Sequence, residues 1–327
     1  MTSLVGHAAA TAAFLGAMRS GSLHHAWLLT GPEGVGKATF AHAAAARLLA
    51  EASGNPPRGE GLDIAADHPT RLLIDAGSHP DLRLLDRLTK IADTGQETSA
   101  RSITIDQVRS LHPLFATTPA LGPRRVVIID AVDDLERSGA NALLKSLEEP
   151  PAGTIFLLVS HALARLLPTI RSRCRQLRFS PLGEDDVRRI ISAALADAAP
   201  QDLAAAAQAG KGAPGAALRF AGLDIAALDA SIDRLVSSGH SGDAERSGLA
   251  QTLSLKAAQP RYQLFLDRAP AAIAAAARTR TGPDLLVALD AHRDARDLAG
   301  AATGLSLDPQ ATVFEMAGIL ARLGSRA

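Results

Sequence analysis

Ala26-Trp27-Leu28-Leu29 runs straight into Gly31-Pro32-Glu33-Gly34-Val35-Gly36-Lys37, and the helix-forming stretch from Phe40 to Leu49 follows at once. An apolar run, a turn carrying three glycines and a lysine, and then a helix form the arrangement from which a phosphate-binding loop is built. Gly31, Gly34 and Gly36 let backbone N–H groups curl around phosphate oxygens. The helix N-terminus adds the positive end of its dipole, and Lys37 reaches the outer phosphates. The next position should supply a hydroxyl for Mg²⁺, but Ala38 stands there. Thr39 carries a hydroxyl one residue late, roughly 100° further round the helix. The expectation is a pocket that holds ATP or ADP and cleaves it poorly.

A second segment completes the pattern. Val126-Val127-Ile128-Ile129-Asp130 is a continuous apolar run ending in a carboxylate. It reads as a buried parallel strand presenting Asp130 toward metal-bound phosphate. Ala131 follows. Asp133 and Asp134 lie two or three residues further on, which moves a carboxylate several ångströms off line. Ser160, at the end of another apolar run, is a candidate phosphate sensor, and a strand-end serine satisfying its own turn fits the position nearly as well.

Composition narrows the function classes. Lys+Arg and Asp+Glu both number 34, so no global basic field favours nucleic acid. Aromatic residues make up 3%, too few for a base-stacking platform. The single cysteine, Cys174, excludes an internal disulfide and a multi-cysteine zinc site, and no metal centre is expected. It reads as a small buried apolar residue, and Trp27 as core. Apolar stretches of about 20 residues are missing, and no basic leader precedes an apolar segment, so a cytoplasmic location away from membranes is expected.

The fold class is α/β over residues 1–180, with strands expected at Ala26–Thr30, Leu82–Leu85, Arg125–Asp130, Ile155–Ser160 and Gln176–Phe179, and a first helix from Ala8 to Ser20. Residues 51–80, rich in Gly, Pro, Asp and His, read as an exposed insert or loop, and 139–149 as a helix stopped by Pro150-Pro151. Beyond Pro181 strand signals disappear. Residues 181–237 read as a small helical domain and 238–327 as a further helical domain, joined by a Ser/Gly/His stretch. His24, His25, His68 and His79 show no ligand spacing and read as structural or exposed.

With these residues laid out, the chain resembles the clamp-loader subunits of the AAA+ superfamily, most closely the delta-prime-type subunits of bacterial DNA polymerase III. The resemblance is carried by 25–37, Ser78-His79-Pro80-Asp81-Leu82, Ile105-Asp106-Gln107-Val108-Arg109, the segment from Asn141 to Pro151 and Arg171-Ser172-Arg173-Cys174, in the family's order. It implies a RecA-like parallel sheet with flanking helices, an α-helical lid and an α-helical collar. It also implies partners: motor ATPase and clamp-opening subunits in a pentameric ring, and, through that complex, the sliding clamp and primer–template DNA. Arg173 is implied to act in trans, as a finger in the neighbour's ATP site, where a guanidinium stabilises charge on the transferring phosphoryl group.

Three departures from the family pattern point away from hydrolysis. Ala38 replaces the metal-binding hydroxyl. Ala131 replaces the glutamate that polarises water. Gly215 stands where motor subunits carry a lid arginine. The four cysteines that hold zinc in many relatives are missing from 51–80, so no zinc is expected. The favoured reading is a non-hydrolysing clamp-loader subunit. The competing one is a motor-type ATPase in which Thr39 and either Asp133 or Asp134 substitute for the lost groups.

Overall fold

The structure is a computed structural model describing residues 4–91, 97–99, 102–196, 198–239, 243–305 and 307–324. The chain divides into two compact units, one of residues 1–190 with 211–216, the other of 191–210 with 217–327. The expected boundaries near 180 and 237 are finer than this division.

In the first unit the elements run α1 (Ala8–Arg19), β1 (Ala26–Thr30), α2 (Lys37–Ala52), α3 (Pro69–Asp75), β2 (Leu82–Asp86), β3 (Thr89–Ile91), β4 (Glu97–Ser99), α4 (Ile105–Arg109), α5 (His112–Phe115), β5 (Arg125–Asp130), α6 (Arg137–Glu148), β6 (Thr154–Ser160), α7 (Pro168–Arg171) and β7 (Arg175–Arg178). Five strands form a parallel sheet in the order β2-β5-β6-β1-β7, while β3 and β4 form a separate antiparallel pair. β1 and β6 are buried throughout, as uninterrupted apolar strands covered on both faces should be.

Alternation sorts their side chains into two cores. Trp27, Leu29, Val126, Ile128, Leu157 and Val159 face α1 and α2 with Phe14 and Phe40. Leu28, Val127, Ile129, Phe156 and Leu158 face the other way, against Leu143, Leu147 and Ile170. Trp27 is fully buried, edge-on to Phe14 and beneath the Arg175 guanidinium.

The 51–80 stretch is mostly exposed, as an insert should be, but it is not all loop. α2 continues through Ala52, α3 forms inside the stretch, and Leu62 and Ile64 are buried. The reason is local: His68 Nδ1 accepts from Thr70 N and caps α3, Pro69 takes the first helical position, and His68 Nε2 bonds Asn55 O at 2.8 Å. His79 is likewise buried and structural.

In the second unit the elements are α9 (Pro200–Ala209), α11 (Ile225–Ser238), α12 (Asp243–Ser254), α13 (Gln259–Ala277), α14 (Gly282–Leu305) and α15 (Pro309–Ala321); α8 (Glu184–Ala194) and α10 (Pro214–Phe220) run across the division. Its core gathers Leu235, Leu253, Phe265, Ile273, Val313, Met316 and Leu320. Alanines at 288, 291 and 295 are fully buried along α14, which lets helices approach closely. Among the described residues no helix is long and apolar enough to cross a membrane.

Candidate functional site

Sheet order fixes where chemistry can occur. β5, β6 and β1 are neighbours, so Asp130, Ser160 and the Gly31–Lys37 loop emerge together at the carboxyl ends of the central strands, the usual ligand edge of an open α/β sheet. Register pairs Thr30 with Ser160 and Asp130 with Val159. Gly31, Gly34 and Gly36 all take positive φ, as a loop curling into a helix N-terminus requires.

Lys37 is buried, and its Nζ donates to the carbonyls of Gly31 and Pro32 at 2.6 Å each. Burial pushes its ammonium down to about 8, against partial support from Asp130, Asp133 and Glu33. Asp130 is held above the ordinary carboxylate range by burial, with His161 Nε2 4.0 Å from Oδ1. Ala38 and Thr39 are half-buried on the first turn of α2. The Ser160 hydroxyl is buried and has no hydrogen-bond partner among the described residues, so the structure does not give it the turn bond that a strand-end serine would make.

The residues offered as substitutes for a catalytic carboxylate are committed elsewhere. Asp133 accepts from His161 N at 2.9 Å and from Ala162 N at 3.2 Å, one through each carboxylate oxygen. Asp134 faces Arg87 at 3.5 Å and Arg165 at 3.9 Å. Ala131, beside Asp130, is buried and brings no polar group.

Against the loop lies the segment that opens α10. Gly215 N donates to Gly34 O at 2.8 Å, and Leu182 N to Gly212 O at 2.8 Å. His7 closes a further side, with Nε2 2.9 Å from Val35 O and its ring edge-on to Phe179. Lys37 is thus engaged by carbonyls of its own loop, and the backbone of residue 215 lies on Gly34. Sequence reasoning missed this contact, because Gly34 and Gly215 are 181 positions apart.

Arg173 lies away from the loop, just after α7, with a side chain 33% exposed. Its Nη1 donates to Thr169 O at 2.9 Å, and its Nη2 is 2.6 Å from Glu148 Oε1 at the end of α6. Cys174 is half-buried, its thiol pushed up to about 12 by burial, so it offers no thiolate at neutral pH. No cluster of ligating side chains suited to a metal occurs among the described residues.

Residues 6–183 match the family model described as DNA polymerase III, delta subunit. The chain belongs to that family. It is 40% identical over 152 residues to the DNA polymerase III subunit delta' of Pseudomonas aeruginosa, a match covering 46% of this chain and 42% of the relative. It is 33% identical over 228 residues to the subunit of the same name from Escherichia coli, covering 69% and 63%. The chain thus spans less than two thirds of either relative. A DNA polymerase III gamma subunit-related protein from Thermotoga maritima superimposes with a TM-score of 0.51 at 16% identity over 94% of this chain and 98% of that one, a likeness in fold. The expected α/β class, a parallel sheet with flanking helices followed by many C-terminal helices, holds.

Proposed function

We propose that this chain is a non-hydrolysing, delta-prime-type subunit of the replicative clamp loader, which positions neighbouring ATPase subunits and donates Arg173 to a neighbour's ATP site while the sliding clamp is loaded onto primed DNA. The observation that carries the reading is Asp133, whose two carboxylate oxygens are occupied by backbone N–H groups. With Ala131 beside Asp130, and Asp134 paired with Arg87 and Arg165, neither aspartate offered as a substitute stands free to polarise water, which weighs against the motor-type alternative.

In this reading residues 1–180 form the AAA+ domain, 181–237 the lid and 238–327 the collar through which a pentameric ring assembles with motor and clamp-opening subunits. The chain contributes no hydrolytic step of its own. Arg173 contributes charge: a planar guanidinium on a half-exposed turn, anchored by Ile170 in the core beneath it, suits a phosphoryl group presented by another chain.

Two measurements test the reading. ATP turnover by the purified chain, alone and with DNA, should stay at background; turnover of about 1 s⁻¹, within the ordinary enzyme range, overturns it. In a reconstituted loader, Arg173→Ala should leave assembly intact and lower DNA-stimulated ATP turnover by about 10-fold or more, and Arg173→Lys should not restore it. Unchanged turnover with intact assembly would remove the finger role.

A further inference from the structure

Gly34 and Gly215 meet backbone to backbone. Besides the hydrogen bond between them, a Cβ placed on Gly215 would lie 2.9 Å from Gly34 Cα and 3.2 Å from Gly34 O. These are backbone atoms and cannot swing aside as the tip of a side chain would. Residues 212–215 are also pinned at their start, where Leu182 N donates to Gly212 O and a Cβ on Gly212 would fall 2.5 Å from Pro181 Cβ.

We propose that Gly215 decides nucleotide access: lacking a side chain, it allows residues 212–216 to lie on the phosphate loop, where they exclude nucleoside di- and triphosphates. The missing arginine thus does more than remove a phosphate contact. Any residue with a Cβ at 215 would hold the segment off Gly34. With the segment seated, Gly34 O is taken by Gly215 N, and the Lys37 ammonium is satisfied by Gly31 O and Pro32 O within its own loop. To settle in the loop, a ligand's phosphates must draw Lys37 away from these carbonyls and have residues 212–216 lift from Gly34. Its apparent affinity falls by the fraction of molecules in which the segment has lifted.

Gly215 is a clean place to test this, since its φ lies outside the left-handed region and alanine costs little there beyond the contact itself. Gly34, at φ 75°, would confound contact with backbone strain. Binding of a fluorescent ADP analogue with Mg²⁺ to the full chain should strengthen by about 10-fold or more in Gly215→Ala, a change equal to roughly 1.4 kcal/mol. Adding Lys37→Ala should erase the gain. Equal affinity of wild type and folded Gly215→Ala overturns the proposal, and so does a gain that survives Lys37→Ala.

A second measurement needs no variant. Amide hydrogen exchange in the wild-type chain should show Gly215, whose N–H is bonded to Gly34 O, protected, and residues 31–37 and 212–216 unchanged on adding Mg²⁺-ADP. A nucleotide-dependent change in either segment overturns the proposal. Neither arm depends on Arg173, so the finger role and the closure stand or fall separately.

Discussion

At the scale of single residues, the phosphate loop has its lysine and several of its carbonyl oxygens already engaged. Lys37 is the clearest case, because its charge is carried into a buried place. Its lowered affinity for a proton means that the folded state binds fewer protons than the unfolded chain between about pH 8 and the ordinary lysine value of 10.5. Wild type should therefore gain stability relative to Lys37→Met as pH rises through that window, while below about 8 the difference should be constant; melting temperatures of the two proteins across the range check the sign. Asp133 makes a different prediction. If its carboxylate closes the turn after β6, Asp133→Ala strips two backbone N–H groups of their acceptor and should cost about 1–3 kcal/mol in urea unfolding, with no change in ATP turnover. A catalytic aspartate would show the reverse pattern.

At the scale of elements, the strands were legible because buried parallel strands have few ways to be written. Arg125–Asp130 and Ala26–Thr30 fall where the apolar runs place them, and the last strand lies one residue earlier than expected, at Arg175–Arg178. α3 and the β3–β4 pair were not legible. α3 is seven residues long and owes its start to a histidine cap, and the β3 and β4 strands are three residues each. Elements so short carry no periodicity to read. The loop cradle was legible and its closure was not, since a glycine–glycine contact leaves no pattern in sequence.

The end of α6 and the turn after α7 offer a test at this scale. The Glu148–Arg173 pair lies at the surface, where such pairs contribute between zero and about 1 kcal/mol. Glu148→Gln should shift the unfolding midpoint within that limit, because Leu147 and Ile170, both in the core, hold the two elements in place without it. A larger loss would make the pair a structural tie and leave Arg173 less free to act on another chain.

The whole molecule contains one tryptophan and one tyrosine, and they fall in different units: Trp27 in the sheet core, Tyr262 buried on α13. Each unit has its own core, so each should respond to its own mutations. Met316→Ala, at a fully buried site on α15, should cost about 2–5 kcal/mol. It should lower the midpoint of the helical circular dichroism signal while the Trp27 fluorescence midpoint stays in place. Coincident shifts of both signals would show that the units unfold as one.

The loop that lies under its own backbone has a consequence for how such a subunit behaves in a living cell. A protein that folds around ATP or ADP is stabilised according to how much of each is present, and its shape follows the energy state of the cell. Here Lys37 finds its acceptors within the loop and Gly34 finds its donor in Gly215. If residues 212–216 close the loop as proposed, starvation and plenty leave those bonds untouched, and the stability of this chain should not follow the supply of either nucleotide.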